Sequence, residues 1–317
     1  MTLHSRFLIV PSLTLFAVGT ATACDTCGTS VPPHYDGQTV GAYAALFEQF
    51  THFGTLKQGA TTVDNEVDQR LDSSNTQMAL GWRISDRLAV QVTLPWIHRS
   101  WRRPEGFEID QGSESGLGDA VLAAVASPKP LAWTDGGGRL DALIGLKLPT
   151  GSSDRLAEEE NEVEVPGAPE SAVHGHDLSR GSGSWDLLLG LRGTAICDRW
   201  FATVAMQYAI RGPGDHQYRY ANDLVGSAGV GWFAWQDDDD HLGVQLTASG
   251  EDKGKDTFAG EDAVDTATTA LYLGPELTLA WRRLHAGLGL DLPVHQHVSA
   301  LQIVPDWRLR AGLGWAF

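Results

Sequence analysis

The C-terminal stretch Trp307-Arg308-Leu309-Arg310-Ala311-Gly312-Leu313-Gly314-Trp315-Ala316-Phe317 decides how the chain is read. Its odd positions are apolar or aromatic, and its even positions are charged or small. Successive side chains of a β-strand point to opposite faces, so this stretch presents one apolar face and one face carrying Arg308 and Arg310. A helix would scatter the same residues around its circumference. The pattern recurs upstream in Leu88, Val90, Val92 and Leu94 and in Leu242, Val244 and Leu246. It appears again in Leu284, Ala286, Leu288, Leu290 and Leu292, and in Leu140 to Leu148, where Asp141 and Lys147 face away from the apolar side.

Two architectures give such strands: a soluble sandwich with apolar residues inside, or a membrane barrel with apolar residues outside. The opposite faces here are rich in Gly, Ala, Thr and Gln, with charges of both signs, which suits a wet interior. Aromatic residues gather at strand ends: Trp200, Trp232, Trp281, Trp315 and Phe317 at one end, and Trp96, Trp185, Tyr218, Tyr220 and Trp307 at the other. Two interfacial girdles have that form. Connections alternate between short turns (Ser85-Asp86, Cys197-Asp198, Gln236 to Asp240, Arg282-Arg283) and long loops near 51–71, 99–114, 150–181, 251–266 and 293–304. The reading is an all-β, transmembrane, antiparallel up-and-down barrel over 38–317. Its strands are expected near 38–50, 72–84, 86–98, 115–126, 138–149, 182–196, 200–211, 218–234, 241–250, 267–281, 283–292 and 305–317, about twelve, the even number of bacterial barrels. Pro275 falls inside one of them and demands a bulge or an unpaired position.

Composition supports this. The 317 residues include 36 glycines, above the ~7% of average sequences. The net charge of −17 argues against nucleic acid, or an anionic membrane surface, as a partner. At the N-terminus, His4 and Arg6, the apolar stretch Phe7 to Val18 and the small residues Ala21-Thr22-Ala23 read as a cleaved signal peptide over 1–23. Residues 24–37 then form a periplasmic segment, with lipidation of Cys24 a reading to weigh. After Ala23 no apolar run is long enough for a membrane-spanning helix. The expected location is therefore the outer membrane of a Gram-negative bacterium.

Three motifs carry a resemblance. Ser115-Gly116-Leu117-Gly118-Asp119, then Gly145-Leu146-Lys147-Leu148-Pro149-Thr150-Gly151, then Gly181-Ser182-Gly183-Ser184-Trp185-Asp186, with a terminal Phe317, occur in order across most of the barrel. In these the chain resembles the outer-membrane barrel family labelled for the meta-pathway of phenol degradation. The resemblance implies an outer-membrane transporter for small aromatic or apolar compounds. The C-x-x-C and the histidines below are not part of that pattern.

The residues that carry chemistry fall into three groups. Lys147, Asp186, Arg192, His285, Asp291, Arg308 and Arg310 are expected in the lumen, where rings of charge select solutes or a salt-bridge network fills the space. His174-Gly175-His176 and His295-Gln296-His297 lie in expected outer loops, the first beside Glu158-Glu159-Glu160, Glu162 and Glu164. Paired imidazoles suit copper or zinc, although solvated loops carry such residues without any ligand. Cys24 and Cys27 form a C-x-x-C, with Cys197 on the same periplasmic side; a disulfide, a metal-binding thiolate pair and a redox dithiol are the open readings. The chain has no G-x-S-x-G, P-loop, H-E-x-x-H or EF-hand loop, and Ser182 and Ser184 fit the glycine-rich motif, so no enzyme is expected. The expected function is a passive channel or uptake protein for small solutes. The alternatives are a metal-handling surface protein and a structural barrel with a plugged lumen. The expected partners are outer-membrane lipid, a small-molecule solute and the barrel-assembly machinery acting through Phe317.

Overall fold

In the computed structural model, residues 40–128, 130–160, 165–237 and 240–317 are described. The expected signal peptide and the 24–37 segment, with Cys24 and Cys27, lie outside them. Twelve long strands run antiparallel: β1 Gly41–Gln58, β2 Arg70–Ser85, β3 Leu88–Glu105, β4 in two pieces (Glu108–Leu117 and Val121–Ala126), β5 Gly136–Lys147 and β6 Asp186–Cys197. They continue with β7 Trp200–Ile210, β8 Asp223–Asp237, β9 Asp240–Lys253, β10 Thr268–Trp281, β11 Leu284–Val298 and β12 Leu301–Ala316. Each pairs with its neighbours in sequence, and β12 closes on β1 from Tyr43 opposite Ala316 to Gln58 opposite Leu301. Closure leaves no edge strand, which is what lets a sheet sit in hydrocarbon with every backbone group paired.

The period of two sorts side chains as the sequence implied. Each strand directs apolar residues outward: Leu46, Leu80, Val92, Leu122, Ile144 and Leu189 on the first six, then Val204, Val230, Leu246, Leu277, Leu288 and Leu313, all exposed. The inward positions between them are polar or small: Gln49, Gln77, Gln91, Thr93, Gln245 and Thr247 are buried. Trp82, Trp200, Trp232, Trp281, Trp315 and Phe317 stand exposed at the short-turn end, and Trp96 and Trp185 at the other. Tyr218 and Tyr220 do not join that girdle. They are buried, because they belong to a loop folded over the barrel mouth.

Three expected loops are largely strand instead: through the 51–71 region β1 runs on to Gln58 and β2 begins at Arg70. The 99–114 region is a hairpin in which β3 and β4 stay paired as far as Glu105 opposite Glu108, turning at Gly106 with φ 60°. The 293–304 region is also strand: β11 runs to Val298 paired with β10, and β12 starts at Leu301 paired with β1, with only Ser299 and Ala300 between them. Here His98, Ser100, Gln111, Ser113, His295 and His297 face outward into water rather than lipid, so the apolar alternation that marks a strand in the membrane is lost while the ladder continues. His295 and His297 thus sit on β11, not in a loop.

Pro275 is accommodated by a gap. The β10–β11 ladder passes from Leu273 opposite Leu292 to Glu276 opposite Gly289, leaving Gly274 and Pro275 unpaired on that side. At Gly274 a Cβ would fall 1.5 Å from the carbonyl oxygen of Leu290, so this close approach requires glycine. Substituting Leu246→Arg on the lipid face is expected to destabilise the barrel by about 2–4 kcal/mol, whereas Gln245→Ala beside it costs less than about 1 kcal/mol. Urea titrations of the folded barrel in lipid vesicles measure the difference.

Candidate functional site

The interior carries clusters of buried ion pairs, and one is built from the three glycine-rich motifs. β4 breaks at Gly118-Asp119-Ala120, where the Gly118 amide donates to the carbonyl of Pro95 at 2.9 Å and Asp119 turns inward. One Asp119 oxygen accepts the Gly151 amide at 2.9 Å; the other accepts Lys147 Nζ at 2.8 Å and the Ser182 amide and hydroxyl, each at 3.0 Å. Lys147, at the end of β5, also pairs with Asp186 at 2.9 Å and donates to Ser184 Oγ at 3.1 Å. Asp186 meets Arg211 at 3.0 Å, and Arg211 meets Asp223 at 2.7 Å. All five charged side chains are at most 3% exposed. The motif glycines have a physical role here: a Cβ on Gly151 would lie 2.8 Å from the carbonyl oxygen of Arg180, so side chains there would force the strand ends apart. Ser182 and Ser184 are buried hydrogen-bonding members of this cluster.

A second cluster crosses β9 to β12. Arg310 makes a bidentate contact with Asp291 at 2.8 and 2.9 Å and reaches Glu276 at 3.5 Å. Arg308 meets both Glu251 oxygens at 3.2 Å and lies 4.0 Å above the Tyr272 ring. A third cluster joins Asp141 to Arg139 at 2.9 Å and to Arg192 at 3.4 Å. His285 lies near the short-turn end in a row with Ala280 and His241; Phe233 packs edge-on to His241 at 4.8 Å. The seven expected lumen residues therefore all face inward, but they divide among separate clusters and form no single ring. Lone charges in an enclosed space would be costly, and Lys147, Asp186, Arg192, Asp291, Arg308 and Arg310 are each met by an opposite charge within 3.4 Å.

Above these clusters the described residues of the β5–β6 connection, 148–160 and 165–185, fold into the mouth. It carries a 3-10 turn at Asp154–Glu158 and a short helix, α1, at Gly175–Leu178. Ala172, Val173 and Leu178 pack against Phe53 and Leu56 of β1, Leu71 of β2, Trp101 of β3 and Ile303 of β12. Polar ties reinforce the contact. Gln69 accepts the Ala172 amide at 2.9 Å and donates to the Glu170 carbonyl at 3.0 Å, and the Ile303 amide donates to the Ala172 carbonyl at 3.2 Å. Buried Arg99 donates to the carbonyls of Asp177 and Ser179. Across the mouth, Tyr220 donates to the His176 carbonyl at 2.9 Å, and Leu156 packs on Tyr218 and Tyr220.

His174 and His176 are inside this lid. Their rings stack at 5.6 Å, and His176 stacks on Tyr218 at 5.7 Å. His174 faces Asp265 at 3.2 Å; His176 faces Glu159 at 3.0 Å and Asp177 at 3.5 Å. Burial opposes a charge on His176, but Asp177, the charge and hydrogen bond of Glu159, and Asp256 outweigh it and raise its pKa to about 10. Burial likewise opposes charge on Glu159, and the facing His176, its amide hydrogen bond and His174 lower that carboxyl to about 2. The acidic run is thus used to hold the lid: Glu158 pairs with Arg103 at 2.8 Å and Glu160 approaches His216 at 3.8 Å. Glu162 and Glu164 lie outside the described residues.

The two H-x-H pairs are apart, one buried in the lid and one on the outer face of β11. Among the described residues no group of three or more His, Cys, Asp or Glu side chains is arranged to hold a metal ion. Cys197 is an exposed free thiol at the end of β6. Sequence reading missed Arg83, Arg99, Arg211, Asp223, Glu251, Glu276 and His241. All but Arg211, which lies just past the end of β7, occupy inward strand positions, and strand parity was the signal that could have found them.

No family model matches the chain, and no curated protein matches it. Among solved structures it is similar to an outer-membrane channel from Pseudomonas putida F1, at 13% identity and a TM-score of 0.62, over 91% of this chain and 100% of that one. The chain has the fold of an outer-membrane β-barrel. More distant likenesses are the β domain of the Bordetella autotransporter BrkA (14% identity, TM-score 0.45, 88% of this chain and 100% of that one) and a Pseudomonas aeruginosa FadL homologue (8%, 0.41, 96% and 100%). None of these names carries the phenol-degradation label.

Two outcomes follow. Replacing Asp186 with Ala leaves Lys147 and Arg211 short of a buried partner and is expected to cost about 3–5 kcal/mol, read from urea titration. For the lid, His176 has a folded pKa above its ordinary 6.5, so its contribution is complete below 6.5 and lost as pH rises through about 10. Glu159 has a folded pKa below its ordinary 4.5, so its contribution is complete above 4.5 and lost as pH falls through about 2. Limited proteolysis of the 148–185 segment is therefore expected to be slowest between pH 4.5 and 6.5 and to quicken progressively toward pH 10.

Proposed function

We propose that this barrel is a passive channel for small solutes whose mouth is closed by the 148–185 lid, and that solute entry requires the lid to move. The observation that carries this reading is the contrast between faces: apolar residues line the outside, while the inside is polar and charged from Arg139 and His285 at one end to Asp223 and Glu251 at the other. Passage is by diffusion. The paired charges set the polarity and size limit, and no catalytic step is involved. Small aromatic or apolar solutes are the class implied by the motif resemblance. The apolar and aromatic lining under the lid, with Phe53, Leu71, Trp101 and Ile303, supports that class at the entrance.

The packed interior favours a second reading, a barrel plugged by its own ion pairs. Single-channel conductance in planar bilayers separates the two. Gln69→Ala with Tyr220→Phe removes ties to the lid without altering the ion-pair clusters; at about 1 kcal/mol per hydrogen bond, the lid equilibrium is expected to shift toward open by tenfold or more. Rare openings in the native chain that become frequent in this variant support the channel. A complete lack of conductance in both moves the conclusion to the plugged barrel.

A further inference from the structure

The outer wall carries a polar surface separate from the lumen and independent of the channel reading. Beyond Trp96, the outward positions of three adjacent strands are Arg70 and Asp72 on β2, His98, Ser100 and Arg102 on β3, and Gln111 and Ser113 on β4. Ser100 stands opposite Asp72 on one side and Ser113 on the other, and these short side chains form the floor of an open groove of about 520 Å³. Arg70, Gln111 and His52 are among its other lining residues.

The groove is lined by Arg70, Asp72 and His52, with Arg102 beside it as the next outward residue of β3, and these charges are not paired as the lumen's are. Arg70 and Arg102 are direct partners in the ladder, and like charges directly opposite destabilise a sheet. The Arg102 guanidinium donates to the Val67 carbonyl at 3.2 Å and to Gln111 Oε1 at 3.4 Å, and has no carboxylate partner among the described residues. Arg70 has exposed Asp68 at 3.5 Å. Asp72 is held by His52 at 2.6 Å, and Glu48 farther down the wall accepts from Ser74 at 2.6 Å and from Thr76. At ~3.3 Å per residue, Arg102 lies about 20 Å along the strand from the girdle residue Trp96. That places the groove beside the headgroups and inner-core sugars of the outer leaflet, a layer rich in phosphate and carboxylate. Guanidinium groups bind such anions through paired hydrogen bonds.

We propose that this groove binds the anionic inner-core saccharide of a lipopolysaccharide molecule, with Arg70 and Arg102 taking its phosphate or carboxylate groups and Ser100, Ser113 and Gln111 its hydroxyls. The net charge of −17, which argues against anionic surfaces for the chain as a whole, governs long-range steering. It does not describe this local strip, which meets a lipid already beside it.

The test is a native mass spectrometry titration of the full-length folded barrel with deep-rough lipopolysaccharide, against phosphatidylglycerol and inorganic phosphate. The native chain is expected to bind the lipopolysaccharide in preference to phosphatidylglycerol. Arg70→Ser with Arg102→Ser is expected to weaken that binding about tenfold, and Lys at both positions to restore part of it. The heat-modifiable gel shift reports folding; should the double variant not fold, Ser100→Trp, which fills the groove and keeps both arginines, must weaken binding instead. Unchanged binding in the folded variant overturns the proposal. So does equal binding of phosphatidylglycerol, which indicates a generic anionic surface, or displacement by millimolar phosphate, which indicates a free-phosphate site.

Discussion

Hydrocarbon offers no hydrogen-bond partner to a backbone amide, and the closure of β12 on β1 is the structure's answer to that constraint. Once the sheet is closed, strand parity has two destinations of opposite character. One set of side chains meets lipid and is apolar. The other meets an enclosed space between twelve strands, wider than the eight-stranded barrels that side chains fill and narrower than the open porins. Charges placed there cannot all stay in bulk water, so they are neutralised locally, as Arg310 is by Asp291 and Lys147 by Asp119 and Asp186.

The same enclosure explains why the seam at β4–β6 carries the glycine-rich motifs. β4 leaves its partner β5 above Lys147, and the backbone of 148–185 enters at that opening. Strand ends that approach this closely need glycine at Gly151 and Gly181, and the amides left without a ladder partner need an acceptor, which Asp119 supplies. A lid anchored at this seam is then held at its far side by the extended hairpins. Strands that run well past the membrane give the lid a wall to pack against, and Phe53, Leu71, Trp101 and Ile303 are inward residues of that wall.

Most of the barrel was legible because lipid imposes a rule on the outer face that no other solvent does. In Trp307 to Phe317 and Leu284 to Leu292 the apolar alternation marks both the strand and its facing. The rule stops where lipid stops. Past Trp96, and at His295 and His297, the outward face turns polar while inward positions such as Ile97, Trp101 and Val298 are apolar, so the apolar-outward alternation is lost although the strands continue. The buried site was partly legible for the same reason: Arg308, Arg310, Lys147 and Asp186 lie opposite apolar residues, whereas Asp119 and Arg211 lie at strand breaks and ends where parity gives no direction.

The sequence by itself determined the class of fold, the parity of each membrane-level strand and hence which charges turn inward, because alternation is a local property of the chain. The pairing of those charges, the burial of His174 and His176 under Tyr218 and beside Glu159, and the opposition of Arg70 to Arg102 were decided only by the tertiary structure. They depend on strand register and on the path of one long connection, which bring together residues distant along the chain.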